Sequence, residues 1–322
     1  MRTVYWARLQ LARQELTKAL QALPGIELQI VEQLPDFLGA LHGAEAAVLA
    51  DAPEGDARQV VEALTAAGSR VRMLHFISAG REGFEAAGLP SGVQLGQAPG
   101  AAAPAVAEHA MALLLALGRR IPQVLAQQAE RRWDRVPPAS AAWSLEGKTV
   151  AVVGDGHIGK EFARRARPFG ARLLGLSRAS RWDGLVDEAL PLEALHEALG
   201  RSDAVVLAIA LAAQTRHLID TRALAACRPG ALLVNVARGG LLDQQALADA
   251  LHAGRLGGAA LDVVDPEPLP ADDPLWGCPR LIISPHFGGS GSPATVARIV
   301  HGAVENLRSF ASDGTLAHRI GG

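Results

Sequence analysis

One segment limits what this chain can fold into more than any other: TVAVVGDGHIGKEFARRARPFG, from Thr149 to Gly170. Val150 to Val153 form an apolar, largely β-branched run that reads as a buried strand. Gly154, Gly156 and Gly159 follow at the spacing G-x-G-x-x-G, and a helical pattern follows them. The first glycine permits a tight turn. The second lets the backbone approach a pyrophosphate, and the third lets the helix pack against the strand. The helix N-terminus offers free N–H groups to phosphate. In a chain with 34 glycines the spacing alone is weak evidence. With a strand before it and a helix after it, the segment reads as a dinucleotide-binding turn.

The turn lies near mid-chain. A length of 322 residues suits two domains, and 49% hydrophobic residues can fill two cores. The formal net charge of -2 points away from nucleic acid and from acidic membrane surfaces. Cys227 and Cys278 lack metal-ligand spacing, so no metal is expected, and so few cysteines fit a reduced cytoplasmic protein. The opening MRTVYWARLQ has charges where a signal peptide needs an apolar region. The apolar run Met111–Leu117 falls far short of the ~20 residues of a membrane helix. Glu130–Arg132 reads as a solvated helix end.

Before the turn, strands are expected at Thr3–Ala7, Glu27–Val31, Ala46–Ala50 and Met73–Ile77, with helices at Leu9–Leu23 and Asp56–Ala67. This is a small α/β unit. A single Ala/Leu-rich helix kinked at Pro122 is expected from Pro104 to Gln128. After the turn, strands are expected at Arg172–Leu176, Ala204–Ile209, Ala231–Val236, Gly258–Asp262 and Leu281–Ser284, with helices at Leu192–Leu199 and Asp243–Ala253. That alternation makes a doubly wound parallel sheet. Pro293–Ser312 closes the reading as a helix.

Three polar residues follow apolar strands: Arg238 in LLVNVARGGLLD, Glu267 in LDVVDPEPLP and His286 in LIISPHFGGSG. In an open α/β sheet, ligands lie outside the carboxyl ends of the strands. An arginine there can hold a carboxylate and polarise a carbonyl. A histidine can pass a proton near neutral pH, and an adjacent carboxylate orients the ring and favours its charged form. Taken singly, each reads more simply as a surface Arg, a loop Glu or a capping His. Their shared position behind a dinucleotide turn favours a catalytic set.

The motifs GDGHIG, TRHLID, NVARGGLLD, ALDVVDPEPLP and PHFGG, with AVAEHAMALLLALGR before them, resemble the D-isomer-specific 2-hydroxyacid dehydrogenases. That family includes glyoxylate and hydroxypyruvate reductases and phosphoglycerate dehydrogenase. The likeness is close from Ala105 to Gly291 and looser in the first hundred residues. It implies an α/β chain with a doubly wound, Rossmann-type cofactor domain at 104–290. It also implies a smaller flavodoxin-like substrate domain made of 1–103 and 291–322. It makes Arg238, Glu267 and His286 catalytic, and it places substrate on Ala79, Gly80, Arg238 and His286, the Gly80 loop presenting backbone N–H to a carboxylate. His157 and Ile158 would follow the pyrophosphate. Asp262 would contact the nicotinamide side, and Val236, Ala237 and Gly288 would complete the cofactor's surroundings with Arg238 and His286.

Departures from the family pattern carry information. Ser177, followed by Arg178 and with Arg181 nearby, stands where NAD-using members place an acid that bonds the ribose 2′-OH. A hydroxyl with arginines attracts a 2′-phosphate, whereas a carboxylate repels it. NADP is therefore expected as the preferred cofactor over NAD. Ala210 replaces a frequent proline, which would loosen the loop near the nicotinamide. Arg81–Glu82 replace a small residue and an Asp after Gly80. His109 reads as a packed, hydrogen-bonded histidine, Trp133 and Trp143 as core or interface anchors, Ser78 as a turn cap or substrate contact, and Asp243 as a helix cap.

The expected activity is reduction of a small 2-ketoacid such as glyoxylate or hydroxypyruvate by a cytoplasmic homodimer, the domains closing over the substrate. One rival is an NAD-linked phosphoglycerate-type dehydrogenase, disfavoured because the sequence ends at Gly322 without room for an added regulatory domain. The other is a non-catalytic, nucleotide-sensing protein on the same scaffold.

Overall fold

The computed structural model describes residues 1–136 and 142–320. The chain divides into two compact units, Met1–Ala102 with Gly291–Gly322, and Ala103–Ser290. In the first unit, β1 (Arg2–Trp6), β2 (Glu27–Val31), β3 (Ala46–Leu49), β4 (Met73–Phe76) and β5 (Gln94–Gln97) form a parallel sheet in the order β2-β1-β3-β4-β5. Alternate residues face opposite cores, as the two-residue strand period requires. Val4 and Trp6 meet Phe37, Val60 and Leu64 on one face. Tyr5, Val48 and Met73 meet Leu16, Leu20, Ile299, Ala303 and Leu307 on the other. Burial on both faces explains why the inner strands read as unbroken apolar runs.

In the second unit, β6 (Thr149–Val153), β7 (Arg172–Ser177), β8 (Glu188–Pro191), β9 (Ala204–Leu207), β10 (Leu232–Asn235), β11 (Gly258–Leu261) and β12 (Leu281–Ile283) make a seven-stranded sheet. Its order is β12-β11-β10-β9-β6-β7-β8, and every pairing is parallel. The chain runs outward from β6 to β8 and then returns to β9, on the other side of β6. Strand order reverses there, and the crevice beyond the carboxyl ends at such a reversal is where α/β sheets bind ligands. Val150 and Val152 pack under the helices Ala103–Gly118 and His157–Ala166, while Ala151 and Val153 face those that carry Leu199, Leu224 and Leu247.

The single helix expected at Pro104–Gln128 is two. The first spans Ala103–Gly118 and the second Ile121–Ala129, with Arg120 between them in the left-handed region at φ 59°. Pro122 lies in the first turn of the second helix, where its missing N–H costs nothing, so it starts a helix rather than kinking one. The first helix buries its apolar face within the unit. The exposed apolar side chains Ile121, Val124 and Leu125 are on the second. Trp133 is exposed, whereas Trp143 packs against the core beside Gly118. Glu130–Arg132 is exposed, with Arg132 paired to Glu130 and Asp134.

The helix expected at Leu9–Leu23 is only Arg13–Gln21, because Ala12 before it takes a left-handed conformation. The helices Leu34–Leu41, Glu82–Ala87 and Thr221–Ala226 and the strands β5 and β8 lie outside the sequence reading; each has eight residues or fewer. Among the described residues no helix is long and apolar enough to cross a membrane.

Candidate active site

The three glycines of the turn divide their work as the spacing requires. Gly154 has φ 113°, and a side chain on it would strike the Ala208 carbonyl. A side chain on Gly159 would overlap the Gly154 carbonyl oxygen, so this glycine sets how closely helix and strand pack. At Gly156 a Cβ would meet nothing within 4 Å, so open space faces the backbone there. Gly156 is also the N-cap of the helix His157–Ala166, which no side chain caps. A tight turn, an open approach and free helix N–H groups fit a dinucleotide pyrophosphate. His157 is exposed on the first turn; Ile158 is half-buried against the core.

Beyond β7 the structure uses Ser177 in a way its type did not foretell. Ser177 is buried, and its Oγ accepts the Ser180 N–H at 2.9 Å. Its hydroxyl also bonds the Asp155 carboxylate. Asp155 is the residue between the first two glycines, and its Oδ2 accepts the Arg181 N–H at 2.7 Å. Trp182 is buried against Gly175, and Lys160 pairs with Asp183 at 2.6 Å. The loop is thus held at four points, while Arg178 and Arg181 remain exposed on it.

Three loops at the far side of the crevice build the polar set. Asn235, buried at the end of β10, accepts the Ala237 N–H at 3.1 Å and donates to the Arg238 carbonyl at 2.9 Å, which fixes the bend that carries Arg238. Val236 and Ala237 are buried in the cores on either side of the sheet. Gly239 abuts the Val264 backbone so closely that a Cβ would overlap its carbonyl group. That approach brings the arginine loop against the loop of Glu267. Gln244 braces the same loop, donating to the Asp265 carbonyl and accepting its N–H at 2.9 and 2.8 Å. Glu267 Oε1 accepts the Val264 N–H at 3.2 Å.

His286 Nδ1 lies 2.7 Å from Glu267 Oε2. With Nδ1 committed to the carboxylate, Nε2 is the nitrogen left to exchange a proton. The hydrogen bond to Glu267 raises the His286 pKa above its ordinary value, against burial and the Arg238 charge, which lower it. Burial would raise Glu267, but its bonds to His286 and to the Val264 N–H and the charges of His286 and Arg238 hold it below the usual carboxylate range. The pair therefore favours imidazolium beside carboxylate, with Arg238 close enough to act on both.

Asp262, expected to face the nicotinamide, is 3% exposed with both oxygens engaged. Oδ1 accepts from the Ser284 hydroxyl at 2.6 Å and the Phe287 N–H at 3.2 Å, and Oδ2 from the Gly288 N–H at 3.0 Å. His109 Nε2 lies 3.0 Å from Ser284 Oγ and 3.3 Å from Asp262 Oδ1, and its ring packs against Phe287. Together they grip the loop on both sides of His286, which takes a left-handed φ of 50°. His109 is hydrogen-bonded and packed as its sequence reading has it; Asn235, Gln244 and Ser284 in this bracing role, and Asp155 in the turn, escaped that reading. The lone polar residue ending LLVN was the one available signal.

Ala79 and Gly80 belong to the first unit. The carbonyls of Ser78, Ala79 and Gly80 accept from Gln97 or from the Ser78 hydroxyl at 2.6–2.8 Å. The N–H groups of Ala79 and Gly80 have no partner among the described residues. Arg81 is occupied with Glu85 and Gln97. In the second unit, Thr215 ties the loop at Ala210, donating to the Ala210 carbonyl and accepting the Ala212 N–H. Asp243 caps its helix through the Ala246 N–H at 3.0 Å. Among the described residues no group of three or more His, Cys, Asp or Glu side chains could hold a metal ion.

Residues 111–288 match the model of the D-isomer specific 2-hydroxyacid dehydrogenase, NAD binding domain. A glyoxylate reductase of Korarchaeum cryptofilum is 37% identical over 224 residues, covering 68% of this chain and 66% of the relative. A D-3-phosphoglycerate dehydrogenase of Mycobacterium bovis is 35% identical over 254 residues, covering 77% of this chain and 48% of the relative. The chain thus spans about half the length of the first curated relatives it matches. A D-isomer specific 2-hydroxyacid dehydrogenase family protein of Aeromonas salmonicida, solved by crystallography, superposes with a TM-score of 0.85 at 28% identity, over 99% of this chain and 98% of that one. The chain belongs to the D-isomer-specific 2-hydroxyacid dehydrogenases, and its larger unit is their NAD-binding domain.

Proposed function

We propose that this chain is a reductase of small 2-ketoacids such as glyoxylate or hydroxypyruvate, preferring NADPH. The observation that carries the reading is the 2.7 Å pair of His286 Nδ1 and Glu267 Oε2 beside Arg238. Gly154, Gly156, His157, Ile158 and Gly159 would hold the pyrophosphate, with Val236, Ala237, Asp262 and Gly288 shaping the rest of the site. A reduced nicotinamide bound there supplies hydride. Arg238 holds the substrate carboxylate and offsets negative charge growing on the carbonyl oxygen. His286, kept protonated by Glu267, delivers a proton from Nε2 to that oxygen, and serves as base in the reverse direction. Ala79 and Gly80 are proposed to meet the carboxylate through their N–H groups.

Arg178 and Arg181 support the NADPH preference: exposed guanidiniums on a braced loop are suited to a 2′-phosphate. The test is steady-state turnover of NADPH and NADH with a panel of 2-ketoacids. Higher kcat/KM with NADH would sink the preference, and absence of turnover across the panel would favour a nucleotide-sensing role. Phosphohydroxypyruvate as the best substrate would favour the phosphoglycerate-type alternative. Arg178→Ala should cost roughly 1.5–3 kcal/mol in NADPH use and leave NADH nearly unchanged.

We also propose a cytoplasmic homodimer. The support is the exposed apolar group Ile121, Val124 and Leu125 on one short helix, which a second copy would cover. A monomer in sedimentation at micromolar concentration would rule the dimer out.

A further inference from the structure

The crevice beside the glycine turn holds charges of both signs. Asp155 occurs within the turn itself, in GDGHIG, yet its carboxylate reaches the end of the neighbouring strand. It accepts the Arg181 N–H at 2.7 Å, bonds the Ser177 hydroxyl and lies 3.8 Å from the Arg181 guanidinium. Its side chain is only 11% exposed, while that of Arg181 is 74% exposed. Burial alone would raise its pKa, but the Arg181 N–H, the Ser177 hydroxyl and the Arg181 charge hold it below the usual carboxylate range, so it is ionised.

Ser177 ends β7, where a carboxylate would bond a ribose 2′-OH. Its hydroxyl is turned to Asp155 and to the Ser180 N–H. Negative charge is therefore present at this strand end, but it comes from the turn after β6. We propose that Asp155 is a cofactor-specificity residue: its carboxylate supplies from the glycine turn the charge that Ser177 lacks, restraining 2′-phosphate binding by the loop of Arg178 and Arg181. Two consequences follow from its bonds. The anion partly neutralises Arg181, and it anchors the backbone that aims both arginines.

Asp155→Asn separates charge from anchoring. The amide oxygen still accepts the Arg181 N–H, and the amide nitrogen donates to Ser177 Oγ in place of the bond it loses. The experiment is calorimetric titration of the purified protein with 2′,5′-ADP and with 5′-AMP, probes that differ by the 2′-phosphate and need no turnover. Asp155→Asn should tighten 2′,5′-ADP by roughly three- to tenfold at low salt, less at high salt, and leave 5′-AMP within about twofold. Asp155→Ser, smaller and also neutral, should shift the same ratio in the same direction. An unchanged or weakened 2′,5′-ADP to 5′-AMP ratio in both variants would overturn the proposal. The inference rests on the turn being a dinucleotide site and not on which dinucleotide is preferred. A wild-type protein that favours NADH would end the NADPH reading alone, since the gain on neutralising Asp155 would remain to be seen or refuted.

Discussion

His75 lies inside β4, with no solvent exposure, under the helix Pro293–Asp313. Its Nδ1 accepts from Asn306 Nδ2 at 2.9 Å, and its Nε2 has no partner among the described residues. Burial, helped by the His318 charge, pushes its pKa down to about 3. His286 lies beyond the end of β12 in the other unit, half-exposed, with Glu267 against its ring. There the pKa rises. The same side chain is thus a neutral core residue in one sheet and is held toward its charged form at the rim of the other. A strand interior offers no water and few counter-charges, whereas a strand's carboxyl end meets loops that can bring a carboxylate. Where a histidine falls relative to a strand end decides whether it can do proton chemistry.

The sharpest way to break this contrast is to remove the rim histidine. His286→Gln should lower kcat by about 10²–10⁴-fold, with affinity for the cofactor little changed. Near-full activity would mean that another group is the acid. The corresponding test in the core is acid stability. His75 has a folded-state pKa below its unfolded value, so its contribution is complete above about pH 6.5 and is lost as pH falls toward 3. At about 1.4 kcal/mol per pH unit, roughly 3 kcal/mol should be lost by pH 4. His75→Leu should flatten that dependence, since Asn306 keeps its bond to the His318 carbonyl. Equal slopes of Tm against pH in the two proteins would refute the assignment.

Asp262→Asn sharpens the role of the loop. Its amide would face the Gly288 N–H with a donor, or the Ser284 hydroxyl and Phe287 N–H if flipped. We expect kcat to fall about tenfold, the size of one buried hydrogen bond made wrong, with KM for the cofactor nearly unchanged. A rise confined to that KM would instead mark Asp262 as a nicotinamide contact. The smallest effect is a shift in a pH profile. Glu267→Gln removes the main influence that raises the His286 pKa and leaves burial and Arg238, both of which lower it. The alkaline limb of reduction, which needs imidazolium, should move to lower pH, as should the rising limb of oxidation, which needs the neutral ring. Profiles left in place would uncouple the two residues.

Much of the fold can be read from local pattern. Val150–Val153 with Gly154, Gly156 and Gly159 specify strand, turn and helix because the apolar run and the glycine spacing lie within one short segment, Gly159 closing on the Gly154 carbonyl. The positions of Arg238, Glu267 and His286 after apolar strands could be read for the same reason. The break at Arg119–Arg120 could not, because Ala/Leu periodicity runs through it and Pro122 is as welcome at a helix start as it is harmful inside one. The strand Glu188–Pro191 was hidden because it is a sheet edge, with half-exposed side chains and little apolar alternation. Ser177 looked like a ligand contact because residue type says nothing about which way a hydroxyl turns.

By itself, then, the amino-acid sequence determined the parallel α/β architecture, the glycine turn and the three polar residues, since all depend on spacing along the chain. Tertiary structure alone decided what braces them. Asp155 reaching Arg181 and Asp262 gripping the loop of His286 join groups that pattern cannot pair. Such bonds form only when distant strand ends are brought into register, and their directions depend on backbone geometry rather than on residue type.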